Sequence, residues 1–423
     1  MTTVAEMPAR YEEAAAPEQA ATAASAERVS PLMRACLRDD VNEVQRILGS
    51  QDARPDLLDA ADEDGLTPLL LAVISGQQPL LTLLLERGAD KDWRDHERHS
   101  AVHWATVCGE LGLLDVLLEA GANASTPDIH GAYPIHYAAQ MCGPNSEMAT
   151  DVRVGLLALR RLLAAGVDVH VVDHDGRQPL LWAASAGSSD ALVSLVNAGA
   201  SVAAADKDGL TALHCAASRG HTDCIDTLVT LCGADVDVMD SNGCTALFYA
   251  VTLGHADCTE LLLRSGAEPN RQDRKGRTPA HCGAAKGQIE TVKMLARYSA
   301  SLGIRNVRGD LPLHEAVRSG RKELVRWLLQ QRPESVNHAN NEGRCPLHTA
   351  AMTNNVEMCK VLMDLHAQVN PLMRSSTGQL MTPLDSALSR GSRSCAKYLQ
   401  LHGGASASAL TDLRSPPQVN DSG

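Results

Sequence analysis

Residues 273–300, DRKGRTPAHCGAAKGQIETVKMLARYSA, carry their apolar and small side chains in two blocks on either side of Gly287. In the second block Ile289, Val292, Leu295 and Ala296 recur at helical intervals, which line one face of an α-helix and cannot line one face of a strand. The first block opens on Thr278-Pro279. Threonine suits the cap of a following helix, and proline its first turn, where a missing N–H costs nothing. Ahead of them, Asp273 and Gly276 suit a turn in which the acid accepts backbone N–H groups and glycine takes a positive φ. The pattern predicts turn, helix, helix, turn.

The same pattern recurs along the chain. It reads DEDGLTPLLLAVISG from Asp62, DHERHSAVHWATVCG from Asp95, DIHGAYPIHYAAQ from Asp128, DHDGRQPLLWAASAG from Asp173 and DKDGLTALHCAASRG from Asp206. It continues as DSNGCTALFYAVTLG from Asp240, NVRGDLPLHEAVRSG from Asn306, NNEGRCPLHTAAMTN from Asn340 and a shorter MTPLDSALSRG from Met381. Copies are mostly 33 or 34 residues apart; the copy at Asp128 is longer, its extra residues falling around MCGPNSEMATDVR, 141–153, between its two helices. A smaller excess at MRSSTGQLM, 373–381, lengthens the last hairpin. One such unit cannot bury its apolar face, so copies must stack and the two ends need caps. SPLMRACLRDDVNEVQRILGS, 30–50, reads as a degenerate first helix pair, and GSRSCAKYLQLHGG, 391–404, as the segment that closes the other end.

The D-x-x-G-x-T-P-L-H-x-A-A-x-x-G opening and the aliphatic second half closely resemble the ankyrin repeat, over roughly 30–404 and about ten copies. The resemblance implies an all-α solenoid of stacked helix-turn-helix units with short hairpin turns. It also implies that His103, His136, His214, His281, His314 and His348 are scaffold residues joining adjacent repeats, and that partners bind on a concave face. Residues 1–29, rich in Ala and Glu, and the Ser/Pro-bearing 405–423 are expected to be disordered flanks.

Composition narrows the function. With 38 basic against 51 acidic residues, the net charge is −13, which argues against a sequence-independent grip on nucleic acid or anionic lipid. Twelve cysteines show no C-x-x-C pair and read as reduced thiols. No apolar run approaches membrane-spanning length, and Glu6, Glu12 and Glu13 interrupt any apolar signal core. A monomeric cytoplasmic protein is expected, with nuclear entry left open.

The His281-Cys282 pair raises the question of a catalytic site. Its histidine recurs at the same position of six copies, whereas the cysteine position also holds Trp104, Tyr137, Trp182, Cys215, Tyr249, Glu315 and Thr349. That is a variable packing position, so no nucleophile and base are implied. Phosphate-cradling and hydrolytic motifs are absent, and His96, His99, His130, His170 and His174 read as solvated residues of the hairpin tips. No catalytic residue, cofactor or metal is therefore expected.

What the scaffold leaves free is charge. From Asp273 onward the positions expected on the concave face hold Arg274, Lys275, Arg277, Lys286, Arg308, Arg318, Arg344 and Arg390, with Arg271 and Arg305 just ahead of the hairpins. Acids in the same set are few, chiefly Asp310 and Glu342, while earlier copies give Glu63, Asp64, Glu97 and Asp175. A face acidic at first and basic at last suggests a non-enzymatic scaffold or adaptor whose basic strip receives an acidic or phosphorylated protein segment. A regulatory subunit, either a ubiquitin-ligase substrate receptor or an enzyme inhibitor, is the alternative; the short stretch after Gly404 counts against the ligase form. Nucleic acid is disfavoured because no aromatics interleave the strip.

Overall fold

The computed structural model describes residues 30–49, 57–144, 151–375 and 378–412. The chain divides between Asp235 and Val236 into two compact units. In the first, helices come in pairs: α1 (Pro31–Leu37) with α2 (Val41–Leu48), α3 (Pro68–Ile74) with α4 (Gln78–Glu86), and α5 (Ala101–Val107) with α6 (Leu111–Glu119). They continue as α7 (Pro134–Met141) with α8 (Val152–Ala164), α9 (Pro179–Ala186) with α10 (Ser189–Asn197), and α11 (Ala212–Arg219) with α12 (Thr222–Asp226). The second unit pairs α13 (Ala246–Leu253) with α14 (Ala256–Arg264), α15 (Pro279–Lys286) with α16 (Ile289–Arg297), and α17 (Pro312–Arg318) with α18 (Lys322–Gln331). It ends with α19 (Pro346–Met352) and α20 (Val356–Asp364), α21 (Pro383–Ser389) and α22 (Arg393–Leu401), and α23 (Ala407–Asp412). Within each unit the first helices of consecutive pairs pack on one another in series. The all-α expectation holds.

Each hairpin is built around the acid or amide that opens the repeat. Asp273 Oδ1 accepts the backbone N–H groups of Lys275 at 2.9 Å and Arg277 at 2.8 Å, and the Asp273 N–H donates to Arg277 O at 2.9 Å. Asn306 and Asn340 make the same pair of contacts through their amide oxygens, so aspartate and asparagine are interchangeable in this role. The turn needs a left-handed residue; Gly276 supplies it at φ 69°, and in the copy at Asp95 the non-glycine Arg98 adopts φ 65° instead. The hairpins of neighbouring repeats are then joined tip to tip. Val307 N–H donates to Lys275 O at 3.1 Å, and Asn341 N–H to Arg308 O at 3.0 Å.

Small residues set how closely the helices meet. A Cβ on Gly283 would lie 2.8 Å from both Val251 and Val292, so this glycine lets α15 sit against α13 and α16. On the other helix of the pair, Val292 and Leu295 are fully buried, each such side chain contributing about 1.5–3 kcal/mol on burial.

Departures from the 33-residue period are absorbed locally. The extra residue between Gly209 and Gly243 becomes a π-helical turn, Thr227–Leu231, and that between Gly309 and Gly343 a 3-10 turn, Pro333–Asn337. In the long copy, α8 has 13 residues where most second helices have nine, so part of the excess extends a helix; the centre of the expected 141–153 insertion lies outside the described residues. The lengthened last hairpin forms a two-stranded ribbon, with Met373 opposite Met381 and Arg374 opposite Leu380.

The expected flanks are only partly within the described residues: 1–29 and 413–423 lie outside them. Residues 405–412, however, do not behave as a free tail. Ala405 N–H donates to Asn370 Oδ1 at 2.8 Å and Ala407 N–H to Asp385 Oδ2 at 2.8 Å, while Thr382 Oγ1 donates to Ala405 O at 2.7 Å. Inside the stack the following repeat supplies such backbone partners, as when Ser301 N–H meets Asn270 Oδ1 at 2.7 Å. After the last repeat, 405–407 takes over that role.

Candidate functional site

His281 is tied at both ring nitrogens. Nδ1 accepts the Thr278 backbone N–H at 3.1 Å, which leaves the proton on Nε2, and Nε2 donates to Asp310 O of the next repeat at 3.0 Å. His103, His136, His314 and His348 repeat the arrangement with Ala132 O, Arg177 O, His338 O and Met381 O. Burial pushes these four imidazoles down to about 4, and lowers His281 as well. Beside it, burial pushes the Cys282 thiol up to about 11. A neutral imidazole with both nitrogens engaged cannot take a proton from a thiol that holds it this tightly. The pair is an inter-repeat strut next to a packed thiol.

The neighbouring position does more than pack. Trp104 Nε1 donates to Asp95 Oδ2 at 3.0 Å, Trp182 Nε1 to Asp173 Oδ2 at 2.9 Å, Tyr249 Oη to Asp240 Oδ2 at 2.7 Å, and Tyr137 Oη to Asp128 Oδ2. Every aromatic there is a tryptophan or tyrosine nine residues after the opening aspartate, and each donates to the carboxylate oxygen that the hairpin leaves over. The signal was present in the sequence as a nine-residue spacing that admits Trp and Tyr but never Phe.

His99 also departs from expectation. His96, His130, His170 and His174 are exposed as tip residues, but His99 is only 3% exposed. Its Nδ1 lies 3.5 Å from Asp95 Oδ2 and its Nε2 3.6 Å from Asp128 Oδ2, so it bridges the buried acids of two successive repeats. Trp104 and Tyr137 enclose it edge-on. Burial opposes the charge, but Asp128 and Asp95 outweigh it and push His99 up to about 9. Its place between two buried aspartates favours the charged form of the ring.

Of the ten cations expected along the strip, Arg390 is exposed directly after α21, and the nine others separate into three groups. Five have a carboxylate within the chain: Arg271 with Asp237 at 3.6 Å, Arg277 with Asp273 at 2.7 Å, Arg344 with Glu342 at 2.6 Å, and Arg308 and Arg318 with a shared pair of acids. Arg318 reaches Asp310 at 3.0 Å and Glu315 at 2.6 Å, and Arg308 reaches the same two at 3.3 and 3.2 Å. Glu315, placed by sequence at a mere packing position, is thus a counter-ion. Arg305 forms the second group: its guanidinium donates to Ala339 O at 2.6 Å and Gly309 O at 3.3 Å, clamping successive hairpins. Arg274, Lys275 and Lys286 form the third, all exposed and outside the ion pairs found among the described residues. Because Arg308 on a hairpin and Arg318 at the end of α17 meet on the same acids, tip and helix end share one face.

Among the described residues, no group of three or more His, Cys, Asp or Glu could hold a metal ion, and no helix is long and apolar enough to cross a membrane. The crystal structure of the human ASB11 ankyrin repeat domain matches with a TM-score of 0.47 at 30% identity, covering 54% of this chain and 99% of that one. The family model described as Ankyrin repeats (3 copies) matches residues 17–95 and, in overlapping stretches, 148–240, 198–273, 224–306, 266–338 and 313–409. These matches span well over half of the chain, and they coincide with the hairpins, capped helix pairs and histidine struts described above: the chain belongs to the ankyrin-repeat family.

Proposed function

We propose that this ankyrin-repeat chain is a non-enzymatic scaffold or adaptor, and that the hairpin tips and first-helix ends of its second unit hold an acidic segment of a partner protein. Ankyrin repeats mediate protein–protein interaction and are typically non-enzymatic modules. The observation that carries the finer reading is the residual charge of the surface. Arg274 and Lys275 on one tip and Lys286 at the end of α15 stay exposed, while Arg277, Arg308 and Arg318 are paired with acids of the chain. A chain of net charge −13 that leaves these three cations open presents a local site for an opposite charge.

Proximity labelling in cells tests the reading, comparing the full chain with Arg274→Glu/Lys275→Glu/Lys286→Glu at equal expression. The reversal should remove a discrete subset of labelled proteins, enriched in acidic segments, and leave the rest. An unchanged set would overturn the assignment of this surface.

A further inference from the structure

We propose that Cys359 and Cys395 are an oxidisable pair, joined by hydrogen peroxide into a disulfide that locks the closing helix pair, α21 and α22, onto the repeat before it. Cys359 on α20 and Cys395 on α22 are both fully buried, and Cys359 Sγ donates to Cys395 Sγ at 3.8 Å. A disulfide holds its sulfurs about 2.05 Å apart, so rotation of the two side chains with a small approach of the helices closes the distance. Buried cysteine is often no more than a small apolar residue, and a cysteine at the third position of a second helix is not special in itself. Cys224 and Cys258 hold the place of Cys395 in their own helices, with Leu192 and Ile225 at the fourth position of the second helix before. In the closing copy that fourth position is Cys359, and two thiols meet.

Cys395 is the nucleophile of the pair. It lies in the first turn of the nine-residue α22, where free backbone N–H groups favour a thiolate, and the S–H it accepts from Cys359 lowers it further while burial opposes. Cys359, the donor, is raised by that same bond and by burial, so it keeps its proton. The helix-end effect survives when α22 lifts from α20 and admits peroxide. Such opening costs least at the end of a stack, where a repeat has a neighbour on one side only. The Cys395 thiolate attacks one peroxide oxygen, the O–O bond breaks, and the departing hydroxide takes up the proton that Cys395 gave up, leaving as water. On reclosing, the Cys359 sulfur attacks that of the Cys395 sulfenic acid, the S–O bond breaks, and hydroxide leaves with the Cys359 proton as a second water. The two thiols lose two electrons and the peroxide gains them. The new bond spans 36 positions of chain and ties α22 to α20.

The test is treatment of the reduced, desalted full chain with hydrogen peroxide, followed by peptide mapping and by hydrogen exchange of α22. Cys359 and Cys395 should be joined within one chain, dithiothreitol should reverse the bond, and the α22 amides should exchange at least about tenfold more slowly in the oxidised chain. In Cys359→Ala, dimedone should trap a sulfenic acid at Cys395, because no second thiol is there to resolve it. A chain in which peroxide leaves these two as thiols would overturn the proposal, as would either of them joined to a different cysteine. Both readouts use the unmodified chain, so they decide the matter even where the variant fails to fold. A disulfide that forms without slowing exchange in α22 would overturn the lock. Trapping at Cys359 of Cys395→Ala, with none at Cys395 of Cys359→Ala, would overturn the order of attack.

Discussion

The hairpins at Asp95 and Asp128 in the first unit and those at Asp273 and Asn306 in the second share one backbone design but neutralise their buried acids by different chemistry. At Asp95 and Asp128 the leftover carboxylate oxygens face Trp104, Tyr137 and His99, which lies between the two aspartates. At Asp273 and Asn306 guanidinium groups take that place: Arg277 on Asp273, and Arg318 with Arg308 on Asp310, whose other oxygen takes Asn340 Nδ2 at 2.8 Å. Arg177 does the same on Asp173 in the first unit, so the choice varies from hairpin to hairpin. A guanidinium keeps its charge at any pH a protein meets, whereas an imidazolium can lose its own. The repeat thus leaves the choice of cation open, and the choice decides whether that part of the stack responds to pH. It also decides what faces outward, since Arg277, Arg308 and Arg318 reach the surface and His99 is buried.

The largest effect should come from His99→Ala, which strands two buried aspartates. A loss of about 3 kcal/mol is expected, read by thermal or urea denaturation. Tryptophan fluorescence reports chiefly on the first unit, which holds Trp93, Trp104 and Trp182. Asp310→Ala in the second unit should cost less, about 2 kcal/mol, because the Arg308 and Arg318 side chains are 62% and 32% exposed and can turn to water. A larger loss for Asp310→Ala than for His99→Ala would break the comparison.

The pH response sharpens it. His99 is raised from 6.5 to about 9, so its contribution is fully present below about 6.5 and is lost as pH rises through about 9. Asp95, Asp128, Glu97 and His103 are the titratable neighbours that face it. His103, His136, His314 and His348 work the other way: they are lowered from 6.5 to about 4, so their contribution is present above 6.5 and is lost as pH falls toward 4. Melting should therefore show an acid-side loss common to both units and an alkaline loss confined to the tryptophan signal of the first. His99→Gln should abolish the alkaline loss. Persistence of that loss in the variant would remove His99 as its cause.

Tyr137→Phe and Tyr249→Phe delete only the donor to Asp128 and Asp240. Each should cost about 1–2 kcal/mol, with Tyr137 the larger because Asp128 is only 1% exposed against 6% for Asp240. Equal stability of Tyr137→Phe and the unmodified chain would show that His99 alone satisfies the aspartate. The smallest effect should be that of Arg274→Glu/Lys275→Glu on melting, under about 0.5 kcal/mol, since neither exposed side chain is among the ion pairs within the chain. A drop comparable to that of Asp310→Ala would mean that these cations serve the fold.

The sequence by itself determined whatever is local and repeated. The turn, the Thr-Pro start and the helical stripe of Ile289, Val292 and Leu295 each depend on spacings within one repeat, and ten copies make the spacing unmistakable, whereas the role of the recurring histidine came only from the resemblance to the ankyrin repeat. What only the tertiary structure decided is how polar groups pair across a turn or between repeats. Arg318 lies eight residues from Asp310 and three from Glu315, and nothing in its spacing says that it folds back on both. His99 reads as a tip residue until Asp128, from the next repeat, closes over its other nitrogen. Residues 405–407 read as tail until Asn370, Thr382 and Asp385 capture their backbone. A buried donor or acceptor must find a partner wherever one is within reach. Reach is set by how the repeats stack, so composition could count the charges of the basic strip but could not tell which of them are already spent.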